Sequence, residues 1–183
     1  AYPSKFSPSH VILLELIMGP TCSIIYENEP MEKNTMVKKP RPFTTTFFKF
    51  KELITSIIQG LVITLGSLSV YQYAIFEGYN ESVTRTMVFM VLISANIFLT
   101  LVNRSFYYSI WTTLKYKNNL VPLIIGITLI LSALLLFQPP LTGFFQFETL
   151  NGNQLGVAVL VGLMSVLWYE IVKGIKRAKG KLK

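Results

Sequence analysis

His10–Tyr26 reads HVILLELIMGPTCSIIY, an apolar run that carries one carboxylate and one proline. A bilayer-crossing helix needs roughly 20 predominantly apolar residues, with about 17 as the lower bound, and this stretch meets that bound. Glu15 stands near its middle, with no Lys or Arg closer in sequence than Lys5 or Lys33. A carboxylate at that depth costs on the order of 3 kcal/mol or more and marks a functional position by default. Pro20 donates no amide hydrogen and crowds the carbonyl four residues back, so the Leu16 oxygen is freed and the helix is predicted to be interrupted at Pro20. Thr21 and Ser23 place hydroxyls just beyond the break. Membrane transporters hold cations with loosened carbonyls beside a carboxylate. Glu15, the Leu16 backbone carbonyl and Thr21 are therefore candidate cation ligands. The alternative is a proline-kinked helix whose Glu15 is protonated or hydrogen-bonded to a neighbouring helix.

The rest of the composition agrees with a membrane setting. Of the 183 residues, 51% are hydrophobic and 14% charged, where a soluble domain carries about 25% charged residues. The net charge of +8 does not indicate nucleic acid, because the basic residues fall in loops between apolar runs without an aromatic-interleaved polar face. Cys22 is the single cysteine, which excludes an internal disulfide and a cysteine metal cluster; it is expected to pack as a small apolar residue. His10, the single histidine, is expected to anchor the mouth of the first span. All nine acids are glutamates.

Five spans follow: 10–26, 53–76, 84–102, 120–137 and 154–172, which predicts an all-α integral membrane bundle of five transmembrane helices in a single domain, 1–183. Fifteen of the seventeen basic residues lie in the loop 27–52, the loop between the third and fourth spans, or the tail 173–183. Positive charge marks the cytoplasmic side, so the N-terminus is expected outside and the C-terminus inside. A chain beginning at Ala1 on the outer side is expected to continue a longer or processed protein. Pro30, Pro40 and Pro42 predict an irregular first loop. Phe43, Phe47, Phe48 and Phe50 at its end favour an aromatic belt where the chain enters the membrane over an amphipathic interfacial stretch. The external segment 138–153, rich in proline and phenylalanine, is expected to cap the bundle.

Polar residues concentrate in the third span, at Ser94, Asn96, Thr100 and Asn103. Asn96 is a candidate to face Glu15, as a cation ligand or as an interhelical hydrogen bond; spacing alone favours the hydrogen bond. Gly60, Gly66, Gly152, Gly156 and Gly162 are candidates for close helix approach. Glu170 and Lys173, three apart, read as a solvated ion pair, with Trp168 and Tyr169 as interface anchors. An ion-coupled secondary transporter would show paired repeats with two broken helices, and only one such helix is present.

The stretch Leu14–Pro30, LELIMGPTCSIIYENEP, with Pro40-Arg41-Pro42 ten residues further on, resembles the sixth transmembrane helix and following loop of P-type cation-transporting ATPases of the calcium-pump-like group. Bacterial members spell that helix L-E-L-I-x-D-P-x-C-S-I, ending in E-x-E-P and a basic P-P-R segment. Arg85-Thr86-Met87-Val88-Phe89 and Asn103-Arg104-Ser105 are similar to motifs around the family's eighth helix, and VLWYEIVK to the close of its tenth. The resemblance implies helices six to ten of an ATP-driven pump in a bacterial plasma membrane, with Glu15 and Asn96 at cation-contacting positions. It further implies, as partners, the lipid bilayer, the transported cation and the N-terminal part of the same pump, with ATP and Mg used by the parent protein. The family aspartate four residues after the Glu15 position is Gly19 here, which removes a carboxylate that calcium coordination favours. Other helices compensate, or the ion differs, or transport has been lost. With no aspartate, the chain has no Asp-Lys-Thr-Gly phosphorylation motif, so it is not catalytic alone. A non-catalytic membrane scaffold, a split or decayed pump fragment, is the competing reading.

Overall fold

The computed structural model describes residues 7–30, 50–105, 108–115 and 117–180, with the side chains of Thr21, Lys51 and Glu52 outside the description. The expected irregular loop with its prolines, Phe43, Phe47 and Phe48, and the Thr21 hydroxyl therefore lie outside the described residues. The elements are α1 (Pro8–Glu27), α2 (Phe50–Phe76), α3 (Glu81–Asn103), α4 (Ile110–Thr113), α5 (Leu120–Phe137), α6 (Pro139–Phe144) and α7 (Gly152–Ala178). Five of them, α1, α2, α3, α5 and α7, are long and apolar enough to cross a membrane. The short helices α4 and α6 fall in segments read from sequence as loops.

Burial ranks the five. In α3, 72% of the spanning window is buried, against 33% or less in each of the others. Hydropathy does not foretell this, since α2 and α3 have equal values and α5 is the most apolar. Small and polar side chains do: Ser94, Ala95, Asn96 and Thr100 let neighbours approach α3 and bond to it, while the outward Leu and Ile of α5 suit lipid. Helices α2 and α7 pack against α3 and each other, and α1 packs against α3 and α5.

Two glycines explain the tight side of the bundle. A Cβ at Gly162 would overlap Ser94 Oγ and lie 2.9 Å from both Ala95 N and Val91 O; one at Gly66 would overlap Ser165 Oγ. Gly60, Gly152 and Gly156 meet nothing within 4 Å, so the close approach expected at those three does not occur among the described residues. Gly78, at φ 72°, closes α2: Tyr79 N donates to Ala74 O and Gly78 N to Ile75 O, both 3.0 Å. That is a Schellman stop, which needs a left-handed residue, and it turns the chain into α3 within four residues.

One end of the bundle is capped by the 138–151 segment, as expected. Arg85 Nη1 donates to Gln146 O and Gln146 Oε1, each at 3.0 Å, which holds Gln146 at φ 50°. Glu148 N donates to Thr86 Oγ1 at 3.0 Å. The Phe145 and Phe147 rings pack at a tilt against His10, and Phe147 likewise against Phe89.

Candidate functional site

Helix α1 has two unlike faces. His10, Ile17 and Ile25 are buried and Leu13, Leu14, Met18 and Cys22 half-buried, a helical stripe turned to α3 and α5. Ile12, Glu15, Leu16, Gly19, Pro20, Ser23 and Ile24 are exposed. Glu15 thus faces away from the described bundle and makes no ion pair among the described residues. Leu16 beside it is 69% exposed. The interruption expected at Pro20 is not seen: α1 is one continuous α-helix with the proline inside it. Proline chemistry deprives the Leu16 carbonyl of its usual donor, but apolar surroundings offer the flanking backbone no partner except its own helix, so the helix runs on through it.

Asn96 is 4% exposed and meets α1 lower down. Cys22 Sγ–H donates to Asn96 Oδ1 at 3.6 Å and lies 3.2 Å from Thr100 Oγ1; Tyr26 OH donates to Thr100 O at 3.5 Å. Cys22 is therefore part of a polar seam between α1 and α3 rather than a simple apolar filler. Cys22 follows Glu15 by two helical turns, about 10 Å along the axis, so Asn96 and Glu15 are on neighbouring helices but are not brought into contact. Among the described residues no three His, Cys or Glu side chains gather as a metal cluster. Ligands from this chain would have to be completed by carbonyls, amides or groups beyond the described residues.

Both ends of α1 are tied by buried directional bonds. At the capped end, Ser7 N donates to His10 Nδ1 at 2.9 Å, which leaves Nε2–H to donate to Phe145 O at 2.7 Å; His10, 2% exposed, is a buried strut rather than a surface anchor. At the other end, Arg104 grips Glu29 in a fork, Nε to Oε2 at 3.0 Å and Nη2 to Oε1 at 2.9 Å. Asn118 Nδ2 adds a bond to Glu29 Oε2 at 3.1 Å and another to Ile25 O at 3.3 Å. Next to this fork, Gln59 and Asn103 exchange amide hydrogen bonds at 3.2 and 3.4 Å, joining α2 to α3.

The pair at the end of α7 corrects the sequence reading. Lys173 is 1% exposed, so it is not a solvated partner of Glu170. Its ammonium donates to Val102 O at 2.9 Å and to Ser105 O and Tyr108 O at 3.2 Å, with Glu170 beside it. A cation thus closes one last-turn carbonyl of α3 and two carbonyls of the segment just past it, at the end where the helix dipole favours it. The lysine ammonium lies over the Tyr169 ring, 5.7 Å from its centroid, and Tyr169 is buried against Val102 and Val166 rather than at the interface.

With this geometry in place, comparison with known proteins decides the family. The model of the family described as "Cation transporting ATPase, C-terminus" matches residues 3–175. The chain belongs to that family. Relatives include Calcium-transporting ATPase 1 of Schizosaccharomyces pombe, 26% identical over 153 residues, which covers 83% of this chain and 17% of that protein. Calcium-transporting ATPase type 2C member 1 of Homo sapiens and of Mus musculus are each 23% identical over 184 residues, covering 99% of this chain and 20% of theirs. The chain therefore spans about a fifth of the length of the curated relatives it matches. As the C-terminal region of a cation-transporting ATPase, it has its motif residues paired in space: Glu29 of ENEP meets Arg104 of NRS, and Asn103 of NRS meets Gln59. From sequence alone, Glu29 and Arg104 stand in two separate family-like motifs and otherwise read as loop charges. The one signal of their pairing is that each borders an apolar span, with the opposite charge, on the same side of the membrane.

Proposed function

We propose that this chain is the C-terminal membrane part of an ATP-driven cation pump and supplies a portion of the transported cation's path. Glu15, the Leu16 carbonyl, Thr21 and Asn96 are its contribution to the cation site; α3 and α5 brace the helix that carries three of them, and α2 and α7 pack on α3 in turn. The observation that supports this is the outward face of α1. A carboxylate flanked by Gly19, Pro20 and Ser23 is a poor surface for acyl chains, whose contact with a charge is costly, and a good one for further helices and an ion. The remainder of the pump covers that face, and ATP with Mg acts on parts outside this chain. The distribution of lysine and arginine puts the Glu29–Arg104 end in the cytoplasm, and the spelling of the α1 motif favours a bacterial plasma membrane.

The test is Glu15→Gln in the full-length protein, with phosphorylation by ATP measured against calcium, magnesium, manganese, sodium and potassium. One of these cations stimulates the parent, and the variant needs a higher concentration of it. An unchanged concentration dependence removes Glu15 from the site.

A further inference from the structure

We propose that Arg104 is a positioning residue for the cation-bearing helix: by gripping Glu29 together with Asn118, it sets the register and rotation of α1. The proposal rests on the reading of α1 given above. Glu29 lies just past the end of α1, and its two carboxylate oxygens take three donors, Arg104 Nε, Arg104 Nη2 and Asn118 Nδ2, at 3.0, 2.9 and 3.1 Å. The Arg104 side chain is 2% exposed and that of Glu29 11%. A planar guanidinium forked onto a carboxylate fixes direction as well as distance. Asn118 also donates to Ile25 O in the last turn of α1, so the clamp holds the helix body and not only the residue after it. Three elements meet here: the end of α1, the end of α3 and the start of α5.

The rest of α1 is weakly guided by comparison. From Val11 to Ser23 the described side chains on its packed side meet α3 and α5 through apolar groups and the Cys22 seam, and Pro20 omits a helical bond. With about 100° of turn per residue, a small rotation of α1 about its axis moves Glu15 from the outward face toward the α3 seam or toward α5. Arg104 and Asn118 oppose that rotation at one end, and His10 opposes it at the other. Arg104 itself is remote from Glu15 along α1 and touches no cation; its effect is on where the carboxylate points.

The experiment compares Arg104→Lys, Glu29→Gln and the exchange Glu29→Arg/Arg104→Glu in the full-length protein, in lipid vesicles. Arg104→Lys keeps the charge and loses the fork. The expected result is a fall of about five-fold or more in apparent cation affinity, the lower end of ordinary coupling between linked sites. The KM for ATP and the yield of folded protein stay unchanged, and the exchange variant recovers part of the loss. Asn118→Ala, which removes only the third donor, gives a smaller fall in the same direction and serves as the readout if the stronger variants do not accumulate. Reduced yield with unchanged cation affinity in the surviving protein overturns the proposal and makes the clamp purely structural. Glu15→Gln, assayed alongside, separates the two failures. A response to Glu15→Gln without one to Arg104→Lys sinks the positioning role alone, whereas no response to Glu15→Gln sinks the reading on which it rests.

Discussion

Replacing Lys173 by methionine tests whether the end of α7 is a helix cap or an ion pair. Methionine keeps the length and apolar packing of the stem and removes the ammonium. Three charge-assisted hydrogen bonds disappear, to Val102 O, Ser105 O and Tyr108 O, each worth about 1.5–3 kcal/mol net. Glu170 is left beside an apolar side chain. The sum is reduced because the variant no longer bears the desolvation of a buried cation, which brings the expected loss to about 3–5 kcal/mol, the usual result of deleting one member of a buried pair. Glu170→Gln is the control. It removes the anion and leaves all three carbonyl bonds to hold the buried ammonium, so the expected cost is smaller, about 1–2 kcal/mol. Unfolding in bicelles by added sodium dodecyl sulfate, followed by far-ultraviolet circular dichroism, gives both values. Equal losses for the two variants would refute the cap, because they would mean that the lysine acts through Glu170 alone.

Gly162→Ala should destabilise by about 1–3 kcal/mol through overpacking, since its Cβ meets backbone atoms of α3 that cannot move aside; Gly156→Ala, with open space around it, should be neutral or stabilise by up to about 1 kcal/mol through helix propensity, and the same unfolding assay orders them. His10→Phe should keep the aromatic contact with Phe145 and Phe147 but strand Phe145 O, at a cost of about 1–3 kcal/mol, whereas His10→Gln, which retains a donor, should cost less. Gly19→Asp is sterically free and puts a second carboxylate one turn from Glu15. Cation-stimulated phosphorylation of the full-length protein should shift toward calcium, and no change in selectivity would show that position 19 does not face the ion.

The five spans were legible because a bilayer imposes length and apolarity on each span separately, and five helices that long and apolar are present. The anomaly of Glu15 was legible for the same reason. The partners were not. Lys173 and Glu170 satisfy a local three-residue rule, yet what surrounds the lysine is the end of α3, about seventy residues away in the chain. Arg104 resembles any of several loop charges until folding puts Glu29 within its fork. Gly156 and Gly162 are the same residue less than two turns apart, and only the position of α3, with Ser94 at its surface, separates them. Pro20 disturbs α1 less than its chemistry alone suggests: its lost hydrogen bond is local, and the helical bonds on either side suffice to carry α1 through it.

The exposed surfaces of the bundle are not all equivalent, and this is what gives α1 its meaning. On α2 the exposed large side chains include Ile57, Leu61, Leu65 and Leu68, and on α5 Leu123, Ile127, Ile130 and Leu134, which are surfaces that acyl chains cover without loss. On α1 the exposed stripe interleaves Ile12, Leu16 and Ile24 with Glu15, Gly19, Pro20 and Ser23. Small residues promote helix contact in lipid because they let backbones approach, and a carboxylate there requires a donor or a cation. Were α1 only another wall of the bundle, its outward residues would resemble those of α5. In the pump proposed above, this face, which combines small residues with a charge on a helix fastened at both ends by His10 and Arg104, is covered by other helices and holds its carboxylate in a set direction.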